Sequence, residues 1–191
     1  MKAIILAAGL SRRFGEDKLL IGINHKPMLL NVIDLVAGMQ FEETVLVYRH
    51  ADIQRLAEGK NIKCAYNENA AEGLSTSIKC GIHSGKDSDA YIFFTGDQPF
   101  LDRETVLRLT EAFYERRKSI VVPRYHGRNG NPVIFSSVWK EQLLQLTGDT
   151  GGRVIIKANP HSVRFVDIDY EAAGMDIDTP EEFRSIKGDL P

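Results

Sequence analysis

Along this chain short apolar runs alternate with longer stretches of helical spacing, and the alternation persists almost from end to end. Ala3–Ala7 reads as a buried strand, and Thr44–Tyr48, Ile62–Tyr66, Ile120–Val122, Pro132–Phe135 and Val163–Ile168 read the same way. AYIFFT, Ala90–Thr95, is the strongest strand signal of all. Helices are predicted over Pro27–Met39, Ala51–Ala57, Leu74–His83, Ser137–Leu146 and Thr150–Ala158. Pro27 is expected in a first helical turn, where its missing N–H costs nothing. A further helix runs to Arg117 with Asp102 as its N-cap, and Asn159-Pro160 stops the one before the last strand. Thr179-Pro180-Glu181-Glu182 has the form of a capping box with proline at the first helical position, so a final helix starts there.

Apolar strands separated by helices predict an α/β fold: one Rossmann-like, doubly wound, mostly parallel sheet with both faces covered. In such a sheet the ligand sits beyond the carboxyl ends of the strands. Three chemistry-rich stretches fall at or near such ends: LAAGLSRRFGEDK (Leu6–Lys18), TGDQPF (Thr95–Phe100) and DIDTPEE (Asp176–Glu182). They are expected to converge on one cleft.

Composition narrows the class. With 191 residues, 43% hydrophobic and 26% charged, the chain belongs among ordinary globular proteins and can bury a sizeable core. The net charge of −2 argues against a nucleic-acid surface over the whole molecule, though not against a local basic pocket. No segment approaches the roughly 20 apolar residues that span a bilayer, and the first strand leads straight into a loop without secretory features. The expectation is a cytoplasmic protein with a single domain over residues 1–191 and no membrane partner. Cys64 and Cys80 lie far apart without a C-x-x-C, which predicts reduced thiols rather than a disulfide or metal site. The five histidines are scattered without a ligand spacing, and no Gly-x-Ser-x-Gly elbow is present.

The first loop fits neither common phosphate motif. Five residues separate Gly9 from Gly15, one too many for a P-loop, and Ser11 stands where a dinucleotide fingerprint needs glycine. Small residues at Ala7, Ala8 and Gly9 leave the backbone open to a base or a phosphate. Arg13 and Lys18 add a planar fork and a mobile point charge, which together suit a polyphosphate. A solvated basic turn balanced by Glu16 and Asp17 is the plainer reading; the glycines and alanines favour anion binding, while Arg12 is expected to be exposed.

Gly96 permits a close approach beside Asp97, whose carboxylate could hold Mg²⁺ or merely begin a turn before Pro99. Asp178 could serve the same ion or simply precede the capping Thr179; Asp176 shares its face only if the stretch is extended. Ser75 and Ser77 near a helix start could meet a ribose or base, and capping by Ser75 explains that residue equally well. HGRNGNPVIF (His126–Phe135) could line a second substrate or form a tight turn, with left-handed residues at Gly127, Asn129 and Gly130. TGDTGGR (Thr147–Arg153) is anion-friendly, or a helix cap followed by a solvent-facing Arg153.

In combination these stretches resemble the molybdenum cofactor guanylyl/cytidylyltransferase family. Its opening is similar to L-A-(A/G)-G-x-S-x-R-(F/M)-G-x-x-K, matched by Leu6, Ala7, Ala8, Gly9, Ser11, Arg13, Phe14, Gly15 and Lys18. GDQP, GNPVIF, GDTGGR and DIDTPEEF follow in order, so the resemblance covers essentially the whole chain. Phe14 stands where many members carry Met, a change between bulky apolar side chains. Ala8 at the second small position, with EGLSTS and GDTGGR, looks like the cytidylyltransferase branch, whose relatives serve molybdenum hydroxylases such as xanthine dehydrogenase.

The resemblance implies a nucleotide-diphospho-sugar transferase type of sheet and Mg²⁺-dependent (or Mn²⁺-dependent) transfer of CMP from CTP to the terminal phosphate of a molybdopterin-type cofactor. It implies catalytic roles for Arg13, Lys18 and Asp97, and metal binding by Asp97 and Asp178. Leu6, Ala7, Ala8, Gly9, Ser75, Ser77 and Gly96, with Arg13 and Lys18, would bind the nucleotide. Asn131, Pro132, Gly151 and Arg153 would line the acceptor side. The alternatives are a GTP-using or sugar-phosphate transferase of the same fold, and a non-catalytic factor that escorts cofactor to a client molybdoenzyme.

Overall fold

In the computed structural model, residues 1–9, 18–23, 25–177, 179 and 181–183 are described. Ten strands occur among them: β1 (Lys2–Ala7), β2 (Gly22–Ile23), β3 (Lys26–Pro27), β4 (Glu43–Tyr48), β5 (Lys63–Tyr66), β6 (Ala90–Thr95), β7 (Ile120–Tyr125), β8 (Arg128–Asn129), β9 (Val133–Ser136) and β10 (Val163–Ile168). The α-helices are α1 (Met28–Ala37), α2 (Ala51–Arg55), α3 (Leu74–His83), α4 (Arg103–Glu115), α5 (Lys140–Leu144) and α6 (Arg153–Ala158).

The main sheet has the order β10-β7-β9-β6-β1-β4-β5, with β8 paired to β7. Its pairs are parallel except those made by β9 and β8, so the expected mostly parallel sheet is what forms. From β1 the chain builds outward through β4 to β5, then returns to place β6 on the other side of β1. The strand order therefore reverses between β1 and β6, and a crevice opens beyond their carboxyl ends.

Alternation along each strand divides the core in two. Ala3, Ile5 and Ala7 of β1 and Ile92 and Phe94 of β6 pack with Leu29, Val32, Val106 and Leu109 of α1 and α4. Ile4 and Ala8, with Tyr91 and Phe93, pack on the opposite face with Ile78 and Ile82 of α3, Leu143 of α5 and Ile155 of α6. Each of the buried Val, Leu, Ile and Phe side chains contributes about 1.5–3 kcal/mol, and the double layer is why the strands read as continuous apolar runs. α4 shows the local logic. It buries Thr105, Val106, Leu109, Ala112 and Phe113 at helical spacing, and Asp102 caps it by accepting the Thr105 N–H at 2.8 Å.

Several boundaries differ from the sequence expectation. Pro27 lies just outside α1, in the small antiparallel pair β2–β3, because the Met28 N–H turns back to the Ile21 carbonyl at 2.9 Å. The expected helix from Ser137 begins as a 3-10 turn over Ser137–Trp139 before α5. α6 begins at Arg153, not Thr150: the Thr150 hydroxyl bonds back to Thr147 O at 2.6 Å and keeps the segment in a turn. In the β7–β8 turn the left-handed residues are His126 (φ 48°) and Gly127 (φ 76°), while Asn129 and Gly130 are not left-handed. The capping box is present: Glu182 N–H donates to Thr179 Oγ1 at 3.2 Å, and Thr179 N–H donates to Glu182 Oε2 at 2.9 Å.

Candidate active site

A cleft of about 1250 Å³ lies at the switch point. Its floor carries Leu6, Ala8 and Gly9 from the end of β1 and Thr95, Gly96 and Asp97 from the end of β6. A bond from Gly96 N–H to Leu6 O, 3.3 Å, joins these two strand ends, and Arg49 Nε holds the Gly9 carbonyl at 3.1 Å. Arg49 has no motif around it, and only the parallel neighbour β4 brings it here. One wall is Ala70–Leu74 with Ser77 and Ile78; the other is Asn129–Asn131, Gly151–Arg153, Ile156 and Lys157.

The two walls meet through a latch. Gly73 has φ +110°, and a Cβ there would stand 2.4 Å from the backbone carbon of Gly148, so only glycine fits. This close approach lets Asp149 Oδ1 accept the Leu74 N–H at 3.2 Å, while Ser75 N–H donates to Gly148 O at 3.2 Å. α3 is therefore capped by a carboxylate 75 positions along the chain rather than by its own serine.

At the floor, Lys18 Nζ lies 2.7 Å from Asp97 Oδ2, with both side chains mostly buried. The other oxygen, Asp97 Oδ1, is buried without a hydrogen-bond partner among the described residues, as are Thr95 Oγ1 and Gln98 Oε1. Orphaned oxygens at a strand end are costly unless a ligand takes them. Among the described residues no group of three His, Cys, Asp or Glu could enclose a metal ion. The donor set thus suits a hard divalent cation that keeps most of its ligands as water or substrate oxygens, and does not suit an all-protein cage.

Asp176 also lines the cleft. The Ile177 N–H donates to Asp97 O at 3.2 Å, and the Ile177 side chain is buried with Ile23 and Met28. Tyr125 supports the second wall by donating its hydroxyl to Asn131 O at 2.8 Å. Burial raises the Tyr125 phenol well above its usual range, with the charges of Asp102 and Asp176 acting the same way, so it remains a donor.

Of the residues singled out from sequence, Leu6, Ala8, Gly9, Lys18, Ser77, Gly96, Asp97, Asn131, Gly151 and Arg153 line this one cleft. Ser77 Oγ accepts a bond from Asn67 Nδ2 at 3.0 Å. The Ala7 side chain turns to the opposite core, so any contribution from it would be through backbone. Ser75 is buried and Pro132 is buried; neither forms part of the lining. Arg13 and Asp178 lie outside the described residues. Glu72, Thr95 and Asp149 lie in stretches the sequence singles out but take no role of their own there, and Lys157 lies outside all of them; each lines the cleft.

No helix among the described residues is long and apolar enough to cross a membrane. Comparison with known proteins agrees with the geometry. The chain is 28% identical to the molybdenum cofactor cytidylyltransferase of Escherichia coli over 96% of its own length and 94% of that protein's. It is 33% identical to a probable molybdenum cofactor guanylyltransferase of Thermococcus kodakarensis, covering 75% of this chain and 70% of the relative. The crystal structure of Rv0371c from Mycobacterium tuberculosis superposes with a TM-score of 0.82 at 23% identity, covering 100% of this chain and 99% of that one. The same protein in complex with manganese gives 0.77 at 21%, over 99% and 98% of the two chains. Residues 3–163 match the family described as the MobA-like NTP transferase domain, and the chain, with its cleft at the β1–β6 switch point, belongs to that family.

Proposed function

We propose that this nucleotidyltransferase moves CMP from CTP to the terminal phosphate of a molybdopterin-type cofactor, releasing pyrophosphate. The observation that carries the reading is the Lys18–Asp97 pair at the switch point, beside a cleft large enough for two substrates, with one carboxylate oxygen buried and without a hydrogen-bond partner among the described residues. The Escherichia coli cytidylyltransferase, similar over 96% of the chain, supports the choice of substrates.

In this reading an oxygen of the acceptor's phosphate forms a bond to the α-phosphorus of CTP in line, and the bond to pyrophosphate breaks. A phosphate monoester is already anionic, so no protein base is required, and the protein contributes position and charge. Lys18 and Arg13 bind the triphosphate and stabilise charge that builds on the leaving pyrophosphate. Backbone at Ala7–Gly9 and Gly96, with Ser77 and Ser75 nearby, receives the base and ribose. Asn131, Pro132, Gly151 and Arg153 take the acceptor side. Asp97, with Asp178, would hold Mg²⁺ or Mn²⁺; when bound, such an ion neutralises triphosphate charge. The manganese complex of Rv0371c supports a divalent ion in this fold. Residues 1–191 act in this reading as one nucleotidyltransferase domain.

The 33% identity to a probable guanylyltransferase favours GTP as the second reading, with the same chemistry. Pyrophosphate release in the presence of molybdenum cofactor, compared across CTP, GTP, ATP and UTP, decides between them. CTP-selective release that stops on chelation with EDTA is expected. Selective release with GTP overturns the base assignment, and release with no nucleotide overturns the transferase reading.

A further inference from the structure

Both substrates are anionic, and Lys18 and Arg13 are assigned above to the triphosphate alone. Lys18 is already within 2.7 Å of Asp97, so its charge is partly spent inside the protein before any nucleotide arrives. A triphosphate and an acceptor phosphate brought to bonding distance repel each other. A second positive pole is therefore needed, and the opposite wall has one. Arg153 and Lys157, one turn apart on α6, both line the cleft, as does Ile156 between them, so one face of this short helix points inward. Both side chains are exposed, and neither makes an ion pair or side-chain hydrogen bond with a described residue. Asp149, four positions before Arg153, is engaged by the Leu74 N–H instead.

The helix is held in place independently of any ligand. The Gly152 backbone lies close enough to Phe135 that a Cβ would stand 2.5 Å from its ring, and Gly151 packs similarly against Leu74, where a Cβ would stand 2.8 Å away. The two cations are thus presented from a fixed base on one wall of the cleft whose floor carries Asp97.

We propose that Arg153 and Lys157 form a subsite for the phosphate monoester of the acceptor, separate from the triphosphate loop. Arg153 supplies a planar fork for two phosphate oxygens, and Lys157 supplies a point charge. The pairing assigns to Lys157, which no motif marks, a direct role in acceptor binding. The assignment of the phosphate to an acceptor rests on the transferase reading above; the existence of the subsite does not.

The test uses Arg153→Gln, Lys157→Gln and Lys157→Arg, with Lys63→Gln on the exposed edge strand as a charge control. Two quantities are read: affinity for inorganic phosphate by titration with CTP present to fill the triphosphate loop, and KM for molybdenum cofactor and for CTP from pyrophosphate release. Lys157→Gln and Arg153→Gln are each expected to weaken phosphate binding and raise the acceptor KM about tenfold, the effect of losing one charge-assisted bond. The CTP KM should stay within about twofold, Lys157→Arg should recover most of the loss, and Lys63→Gln should change neither. Equal phosphate affinity in wild type and both glutamine variants, or a rise in CTP KM that matches the acceptor's, overturns the subsite even if turnover is normal. A phosphate difference that persists while no nucleotide supports turnover keeps the subsite and sinks the transferase reading.

Discussion

Two lysine–carboxylate pairs lie on opposite ends of the same sheet, and they behave as different kinds of object. At the amino end, Lys2 is fully buried, with Nζ 3.1 Å from Ile82 O, 3.0 Å from Ser84 O and 3.5 Å from Glu43 Oε2. Glu43 in turn accepts the Lys86 N–H at 3.1 Å. Both partners are satisfied within the protein, and the site is a plug that ties β1 and β4 to the end of α3. At the carboxyl end, Lys18 meets Asp97 more closely, at 2.7 Å, yet Asp97 Oδ1 has no hydrogen-bond partner among the described residues. A buried pair with its hydrogen bonds filled is structural; a buried pair with an oxygen left over in a large cleft is prepared for a ligand.

The largest expected effect breaks the cleft pair. Asp97→Ala should lower pyrophosphate release about 10³-fold while leaving the thermal midpoint near that of wild type, because Asp97 sits past the strand end and holds no core. Loss of the folded circular-dichroism signal in this variant would make the pair structural and erase the contrast. Lys18→Ala comes next: kcat/KM should fall about 10²-fold, with nucleotide affinity reduced, as read by steady-state kinetics and nucleotide titration.

At the other end the signs reverse. Lys2→Ala should cost about 2–3 kcal/mol of stability in urea unfolding, through the cavity and two carbonyls left unpaired, with kcat unchanged. Lys2→Met fills the space but leaves the same carbonyls and Glu43 without their partner, so it should recover only the cavity part of the loss, about 1 kcal/mol.

The smallest effect is a pH dependence. Burial depresses the Lys2 pKa below 10.5, with the Glu43 carboxylate opposing the shift only in part. The unfolded chain therefore binds the proton more tightly, and between the depressed value and 10.5 wild-type stability should rise with pH relative to Lys2→Met. Buried Tyr91 and Tyr125, whose pKa values are raised, push the other way; Tyr125 cancels in the difference, and Tyr91, whose ring centre is 5.8 Å from Lys2 Nζ, is removed by making the comparison in a Tyr91→Phe background. A flat difference across that alkaline window would show that Lys2 is not desolvated as the fold implies.

Much of the cleft was legible because its chemistry is written in short motifs. Leu6–Gly9 and Thr95–Asp97 each follow an apolar run that could only be a buried strand, so their loops had to open at a carboxyl end. Lys157 and Asp149 were not legible. A lysine in a helix beside solvent reads as surface, and an aspartate before two glycines reads as a turn; nothing local says that one faces a cleft and the other caps a distant helix. Lys2 is the sharpest case. It lies just before the strand expected over Ala3–Ala7, where the sequence assigns it nothing, and its burial depends on α3 ending over it.

By itself the sequence determined the layers: which residues are apolar, with what period, and hence the strands, the helices and the covered parallel sheet. Those properties follow from local geometry and from removal of apolar surface from water, which act on patterns a few residues long. Only the tertiary structure decided the strand order that puts the switch point between β1 and β6, the latch between Gly73 and Gly148, and which of two buried lysine pairs keeps an unfilled oxygen. Each of these depends on groups far apart in the chain meeting within hydrogen-bond distance, and the energy of such a meeting is set by the packing around it.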